Sequence, residues 1–164
     1  MTISLTGFMG CGKSSVGREL AARLGARLVD LDAEIVVRSG RTIPELFSAG
    51  GEAAFRSAEL ETLRVVLDEA EAAGGDTVLA LGGGVLTQPG ARELVFGRTR
   101  CIWLRTRLDT IRGRLGQTDP SRPLFADAEA LFAARQTLYA QAPLAVDTDG
   151  LTPAEVAEEI YGIL

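Results

Sequence analysis

A glycine-rich segment near the start of the sequence has the composition of a phosphate-binding loop. Residues Gly7 to Ser15 read G-F-M-G-C-G-K-S-S and match the pattern G-x-x-x-x-G-K-[ST]. Glycines permit backbone angles that other residues avoid, so successive N–H groups can wrap around a polyphosphate. Lys13 can reach the β- and γ-phosphates, and the Ser14 hydroxyl can ligate Mg²⁺. The segment predicts a nucleoside triphosphate site; the alternative is a merely glycine-rich turn.

The composition of the chain favours the nucleotide hypothesis. Lys13 is the only lysine, against sixteen arginines, so the protein carries arginine almost everywhere it has a cation. A compact ammonium group acts on phosphate oxygens as a point charge. We therefore expect Lys13 to be functional rather than an ordinary surface charge.

Two carboxylates lie at the end of the second predicted strand, Arg27 to Asp32. Because side chains alternate along a strand, Asp30 and Asp32 are predicted to project to the same side. Open α/β sheets bind ligands at the carboxyl ends of their strands, so the pair could serve Mg²⁺ and a reacting hydroxyl. Alternatively, one of them caps a helix that starts near Ala33. The residues alone leave both interpretations open.

Arg56 occupies an unusual position for a cation. It lies in the first turns of a predicted helix over Glu52 to Ala73, where the helix dipole disfavours positive charge. Glu59 follows three residues later and can orient the guanidinium group. Arg56 is therefore either an oriented fork for a substrate carboxylate or part of a surface ion pair.

Three consecutive glycines, Gly82 to Gly84, end the third predicted strand, Thr77 to Leu81. They would let a ligand approach the backbone closely, although a flexible turn is the alternative. The aspartate that often ends this strand in nucleotide-binding proteins is absent. Asp30 is then the natural candidate for a metal-binding carboxylate.

A cluster of arginines is predicted to form a basic lid. The segment 105–122 contains Arg105, Arg107, Arg112, Arg114 and Arg122, and residues 116–123 read G-Q-T-D-P-S-R-P. A mobile basic loop can exclude water and bring an arginine to developing charge. A solvated helix face is the alternative.

The first elements of the chain predict the architecture. Ile3 to Thr6 reads as a buried strand, Lys13 to Leu24 as a helix and Arg27 to Asp32 as a second strand. Such a strand–helix–strand unit implies a parallel sheet. Further along, Thr42 and Glu45 fit a capping box, and the pair Gly50–Gly51 is expected to break the helical pattern.

The overall composition narrows the classes of function. A chain of 164 residues without repeats or linkers predicts one domain over residues 1–164. The net charge of −5 argues against nucleic acid, and the absence of a long apolar run argues against a membrane span. Two cysteines make no disulfide framework, so we expect a cytoplasmic location, and we expect a monomer. Because the chain has no histidine, a general base must be a carboxylate.

The series of motifs along the chain resembles that of the shikimate kinase family from end to end. After the phosphate loop follow D-L-D, then G-E-x-x-F-R-x-x-E at residues 51–59, G-G-G at 82–84, R-P-L at 122–124 and R-x-x-x-Y at 135–139. Many kinases share the loop, but the later series is not shared by the nearest rival, a gluconate kinase of the same fold. A GTPase-like switch is disfavoured because D-T-D-G at 147–150 lies too near the C-terminus and no N-K-x-D motif exists.

The resemblance implies a fold and an activity. The fold would be an α/β three-layer sandwich of the P-loop kinase type, with a five-stranded parallel sheet in the order 2-3-1-4-5 between helices. The activity would be transfer of the γ-phosphoryl group of ATP, with Mg²⁺, to the 3-hydroxyl of shikimate, a step of aromatic amino acid biosynthesis. A shikimate-binding subregion would lie at about 33–60 and a lid at about 112–124.

The resemblance also implies roles for single residues. Catalysis would involve Lys13, Arg122 as the lid arginine, and Asp32 as the candidate base at the 3-hydroxyl. Ser14, and Asp30 through water, would hold Mg²⁺. The substrate carboxylate would be clamped by Arg56 and Arg135 beside Gly82, Gly83 and Gly84. The ATP site would comprise Gly10, Cys11, Gly12, Lys13, Ser14, Ser15, Arg114 against the adenine, and Arg122.

Overall fold

The computed structural model describes residues 1–116 and 128–164. Its centre is a five-stranded parallel sheet in the order β2-β3-β1-β4-β5, which confirms the expected topology. The strands are β1 (Thr2–Thr6), β2 (Arg27–Asp30), β3 (Thr77–Ala80), β4 (Arg100–Arg105) and β5 (Leu144–Asp147). The arginine expected in the lid, Arg122, and the R-P-L motif lie outside the described residues.

Helices connect the strands and cover both faces of the sheet. In the described part of the chain they are α1 (Lys13–Leu24), α2 (Leu31–Ser39), α3 (Ile43–Ala73), α4 (Pro89–Arg98), α5 (Leu108–Gly116), α6 (Ala128–Tyr139) and α7 (Pro153–Ile163), with a single 3₁₀ turn at Val85–Thr87. No helix among the described residues is both long and apolar enough to cross a membrane.

The side chains of β4 point alternately to the two faces of the sheet, and they show how the sheet divides the core into two layers. Ile102 and Leu104 pack with residues of α1 and α7, whereas Cys101 and Trp103 pack with residues of α2, α3 and α4 on the opposite face. A parallel sheet covered on both sides buries side chains of both faces, and all four of these residues are buried. The expected three-layer sandwich is thereby confirmed.

The beginning of α3 has the predicted cap and the predicted interruption. The Glu45 N–H donates to the Thr42 hydroxyl (3.3 Å), and the Thr42 N–H donates to the Glu45 carboxylate (2.9 Å). Gly50 and Gly51 have non-helical angles, and φ is +68° at Gly51, so α3 kinks at this pair. The kink lies just before the turn that carries Arg56.

Candidate active site

The phosphate-binding loop joins the end of β1 to the first residue of α1. Gly10 and Gly12 have positive φ angles of +77° and +98°, which residues with a side chain rarely adopt. Gly12 is the N-cap of α1, and having no side chain it leaves the N–H groups of the first helical turn unbonded by a cap. Such a helix start can bind an anion.

The ammonium group of Lys13 lies across this loop. Its Nζ donates to the carbonyl oxygens of Gly7 (2.8 Å) and Phe8 (3.0 Å). The same loop carries Cys11, which is buried, with its Sγ 3.7 Å from Lys13 Nζ. The single lysine of the chain therefore lies on the backbone that would surround a polyphosphate.

The prediction that Asp32 ends a strand beside Asp30 is wrong. β2 ends at Asp30, whose Oδ1 accepts hydrogen bonds from the N–H groups of Asp32 (3.0 Å) and Ala33 (3.3 Å). This cap starts α2 at Leu31, two residues earlier than expected, so Asp32 lies in the first helical turn. Asp30 is thus a helix cap, the alternative that the sequence left open.

Asp30 also contacts the phosphate-binding loop. Its second oxygen, Oδ2, accepts a hydrogen bond from the Ser14 hydroxyl at 2.9 Å. The two interpretations of Asp30 are therefore compatible, because one oxygen caps α2 and the other lies at the loop. The Ser14 hydroxyl and the Asp30 carboxylate thus place two oxygen atoms, both of types that can ligate a metal ion, beside Lys13.

Asp32 borders the same cleft from the side of α2. Its Oδ1 is buried and has no hydrogen-bond partner among the described residues. Burial raises the pKa of Asp32 above its ordinary value, and the charge of Asp30 raises it further, whereas Lys13 and Arg56 oppose the rise. Because Asp32 lines the cleft together with Lys13 and Ser14, its carboxylate can accept a hydrogen bond from a ligand there.

Arg56 is held in a largely buried ion pair, so it is not a surface pair. Its Nη1 donates to Glu59 Oε1 at 2.7 Å, and the two side chains are 16% and 1% exposed. On its other side the guanidinium lies against Gly84, where an added Cβ would overlap Nη2 and lie 2.7 Å from Cζ. The Arg56 guanidinium can occupy this position only because Gly84 has no side chain.

Arg135 reaches the same glycine turn from α6. A Cβ on Gly83 would lie 3.6 Å from Arg135 Nη1, and the guanidinium carbon lies 5.9 Å from the centre of the Phe8 ring. The buried Nε of Arg135 has no hydrogen-bond partner among the described residues. Two guanidinium groups from distant parts of the chain thus meet at Gly83 and Gly84, where they can bind a carboxylate.

Two clefts of about 320 Å³ each adjoin the loop and share Gly10, Gly12 and Ser15. One extends to the carboxylates and the glycine turn, and is lined by Lys13, Ser14, Asp30, Asp32, Gly82 and Gly83. The other extends to the β5–α7 connection, and is lined by Cys11, Val16, Arg114, Thr148, Leu151 and Pro153. Arg114 Nη1 donates to the Gly10 carbonyl at 3.3 Å. The loop therefore lies between an apolar cleft and a charged one.

Comparison with known proteins decides the family. The family model for shikimate kinase matches residues 9–164. A shikimate kinase of Geobacter metallireducens is 40% identical over 168 residues, covering 99% of this chain and 90% of that protein. A shikimate kinase of Paramagnetospirillum magneticum is 39% identical over 170 residues, covering 99% and 84%. The chain belongs to the shikimate kinase family.

A solved structure of a shikimate kinase agrees in fold over the whole chain. The enzyme from Acinetobacter baumannii, described in complex with shikimate, is 32% identical and superposes with a TM-score of 0.88, covering 99% of this chain and 91% of that one. Membership of the shikimate kinase family identifies an ATP-dependent kinase that transfers a phosphoryl group to an alcohol.

Sequence reasoning missed two contacts of this shikimate kinase site. The Tyr139 hydroxyl donates to the Gly83 carbonyl at 2.6 Å, and the Gln88 amide donates to Glu59 Oε1 at 3.0 Å. Tyr139 belongs to the R-x-x-x-Y motif, whose spacing puts it one helical turn after Arg135, so that signal was present. Gln88 has no comparable signal, since the sequence marks it only as the first residue of a predicted helix, Gln88 to Phe96.

The contact between Gly84 and Arg56 generates a prediction. Gly84 has a φ of −105°, which any residue can adopt, so Gly84→Ala should act through the overlap with the Arg56 guanidinium rather than through backbone strain. We expect the Michaelis constant for the acceptor to rise about tenfold or more, as for loss of a charge-assisted hydrogen bond, with little change for ATP. Steady-state kinetics measures both constants.

The matched control is Gly97→Ala on α4, where an added Cβ would meet nothing within 4 Å. This control should leave both constants unchanged. If Gly84→Ala had the same acceptor constant as the unmodified protein, Gly84 would not determine the position of Arg56.

Proposed function

We propose that this chain transfers the γ-phosphoryl group of ATP to the 3-hydroxyl of shikimate, giving shikimate 3-phosphate and ADP. One observation carries the proposal: Asp32 and two guanidinium groups at the glycine turn adjoin a phosphate-binding loop. Shikimate offers a carboxylate for the guanidinium groups and hydroxyl groups for Asp32. The shikimate kinase from Acinetobacter baumannii, whose structure is a complex with shikimate, supports this acceptor.

The nucleotide would bind along the loop, with its phosphates on the N–H groups before α1 and its adenine in the apolar cleft. Leu151 and Pro153 offer that cleft flat apolar surface, and Arg114 lies above the loop. Lys13 would move from the loop carbonyls to the β- and γ-phosphates. For Arg122, which lies outside the described residues, the proposed role as the lid arginine rests on the motif alone.

The acceptor would bind with its carboxylate between Arg56 and Arg135 and its reacting hydroxyl at Asp32. Asp32 lines the cleft that adjoins the loop and burial raises its pKa, which supports this arrangement because a carboxylate there can accept that hydroxyl's hydrogen bond. Phosphoryl transfer through a loose transition state needs alignment and electrostatic stabilisation more than covalent help. Asp32 would align the hydroxyl and receive its proton, while Lys13 balances charge on the transferred group.

The oxygen donors of Ser14 and Asp30 fit Mg²⁺. Magnesium in kinases keeps several waters and is bound by one or two protein groups together with substrate phosphates. A hydroxyl and a carboxylate linked at 2.9 Å on the loop side of the cleft match that requirement, and the described residues contain no cluster of three acidic, cysteine or histidine ligands. Bound there, the ion would neutralise charge on the β- and γ-oxygens.

We also propose a cytoplasmic location and a monomeric state for this protein. Both cysteines are free and buried, which is compatible with a reducing compartment.

A coupled assay for ADP tests the proposed acceptor. We expect ADP release from ATP and Mg²⁺ to depend on shikimate and to be near background with gluconate or nucleoside monophosphates, since only shikimate offers the ring carboxylate and hydroxyls together in the required arrangement. Turnover with gluconate but not with shikimate would contradict the assignment. Slow hydrolysis indifferent to every acceptor would instead indicate a nucleotide switch.

The position of Lys13 generates a second kinetic prediction. Lys13→Ala should lower kcat by about 100-fold or more, because a preorganised cation on the transferring phosphoryl group is lost. Arg18→Ala is the matched control, since Arg18 is an exposed cation on the same helix. Similar kcat values for the two variants would remove Lys13 from the catalytic machinery.

The proposed fork predicts that Arg56 affects the acceptor and not the nucleotide. By titration calorimetry, Arg56→Lys should weaken shikimate binding about tenfold because the planar fork is lost while the charge is kept, and ATP binding should be retained. Lysine also avoids leaving Glu59 as an unpaired buried charge. The exposed Arg64 on α3 provides the control Arg64→Lys. Equal losses of affinity for shikimate and ATP would indicate a structural role instead.

A further inference from the structure

The side chain of Gln88 is not used by the helix that it precedes. Gln88 is the N-cap residue of α4, yet its side chain makes no capping hydrogen bond there. Instead Nε2 donates to Glu59 Oε1 at 3.0 Å, a contact between residues 29 positions apart. The amide therefore connects two elements of the acceptor side of the site.

The partner of Gln88 is a buried carboxylate that needs its donors. Glu59 is 1% exposed, and its Oε1 receives both the Gln88 amide and Arg56 Nη1 (2.7 Å). Burial raises the pKa of Glu59, whereas the hydrogen bonds from Arg56 and Gln88 oppose the rise, and the charge of Asp32 adds to it. A buried carboxylate that loses one of its two donors is less stable as an anion and holds its remaining partner less firmly.

Gln88 is also tied to the glycine turn through the backbone. The Thr87 N–H donates to the Gly84 carbonyl at 3.0 Å, and the Gln88 N–H donates to the Val85 carbonyl at 3.3 Å. The 3₁₀ turn between Gly84 and Gln88 is thus a closed, hydrogen-bonded unit. One end of this unit packs on the Arg56 guanidinium through Gly84, and the other end bonds the carboxylate that orients the guanidinium.

We propose that Gln88 is a positioning residue for acceptor binding. Its amide fixes Glu59, and Glu59 fixes Arg56 in the orientation in which the guanidinium binds the carboxylate of the acceptor. The proposal rests on the proposed function, since it takes that carboxylate to be the ligand of Arg56. Gln88 acts through Glu59 and Arg56, so its effect falls on acceptor binding and not on phosphoryl transfer.

The test is the kinetics of Gln88→Met, which keeps the length of the side chain and removes the donor. We expect the Michaelis constant for shikimate to rise about tenfold, as for loss of one hydrogen bond to a charged group. The turnover number and the Michaelis constant for ATP should stay within about twofold of the unmodified protein. Because the α4 cap does not use the side chain, the melting temperature should fall by roughly a few degrees at most, as expected for one lost hydrogen bond to Glu59.

Two further variants separate positioning from a structural effect. Gln88→Lys supplies a donor of similar reach and should keep the shikimate constant within about threefold of the unmodified value. Gln141→Met removes an exposed amide that bonds only the Thr137 carbonyl (3.3 Å) among the described residues, and it should change nothing. Equal losses in Gln88→Met and Gln88→Lys together with larger falls in melting temperature would overturn the inference, because a donor would then not matter.

The outcomes also separate this inference from the proposed function. If the unmodified protein releases no ADP in the presence of shikimate, the proposed function is wrong. If the unmodified protein is active and Gln88→Met has the same Michaelis constant for shikimate, the inference about Gln88 alone is wrong. A raised shikimate constant with an unchanged turnover number, restored by Gln88→Lys, supports both.

Discussion

The parallel pairing of β3 with both of its neighbours brings the site together. Ala80 of β3 lies opposite Leu5 of β1 and opposite Asp30 of β2, and the Leu81 N–H extends the first pairing by donating to the Leu5 carbonyl at 3.0 Å. Three strands therefore end at the same level, with the phosphate loop, the start of α2 and the glycine turn side by side. A shift of one residue would turn the side chains of a strand to the other face and separate Asp30 from Ser14. The side-chain contacts of the site therefore depend on the backbone register of these three strands.

Buried charge is the second constraint, and it centres on Gly82. An added Cβ there would lie 2.9 Å from Asp32 Oδ1 and 3.2 Å from Glu59 Oε2, so the two carboxylates flank a residue without a side chain. Each of these oxygens is buried without a hydrogen-bond partner among the described residues. Such a pair is tolerated only beside cations or donors, which Lys13 and Arg56 supply. Gly82 is itself buried, so the absence of a side chain there gives the two carboxylates the space to lie side by side.

The nucleotide side of the site could be predicted from local sequence, whereas much of the acceptor side could not. The loop motif gives the positions of Lys13 and Ser14 directly, because strand, loop and helix are consecutive. The sequence identifies Asp30 and Asp32 as candidate site residues, but the geometry that it predicts for them is wrong. Strand alternation stops at Asp30, because the side chain of Asp30 caps the helix that follows. The contact of Gln88 with Glu59 depends on how α3 packs against the turn before α4, and no periodic pattern encodes such a contact.

Because one half of the site is local in sequence and the other is not, substitutions affect the two halves differently. The phosphate loop is built from consecutive residues and depends on the register of β1, so a change there alters nucleotide binding whatever the acceptor. The proposed acceptor side is assembled from α2, α3, α6 and the glycine turn, and Arg56, Glu59 and Arg135 contact residues that are distant in sequence, namely Gly84, Gln88 and Gly83. A substitution at one of these contacts can therefore move a guanidinium group without disturbing the loop. The proposed acceptor site accordingly depends on long-range packing, whereas the proposed site for the phosphates depends on one short segment.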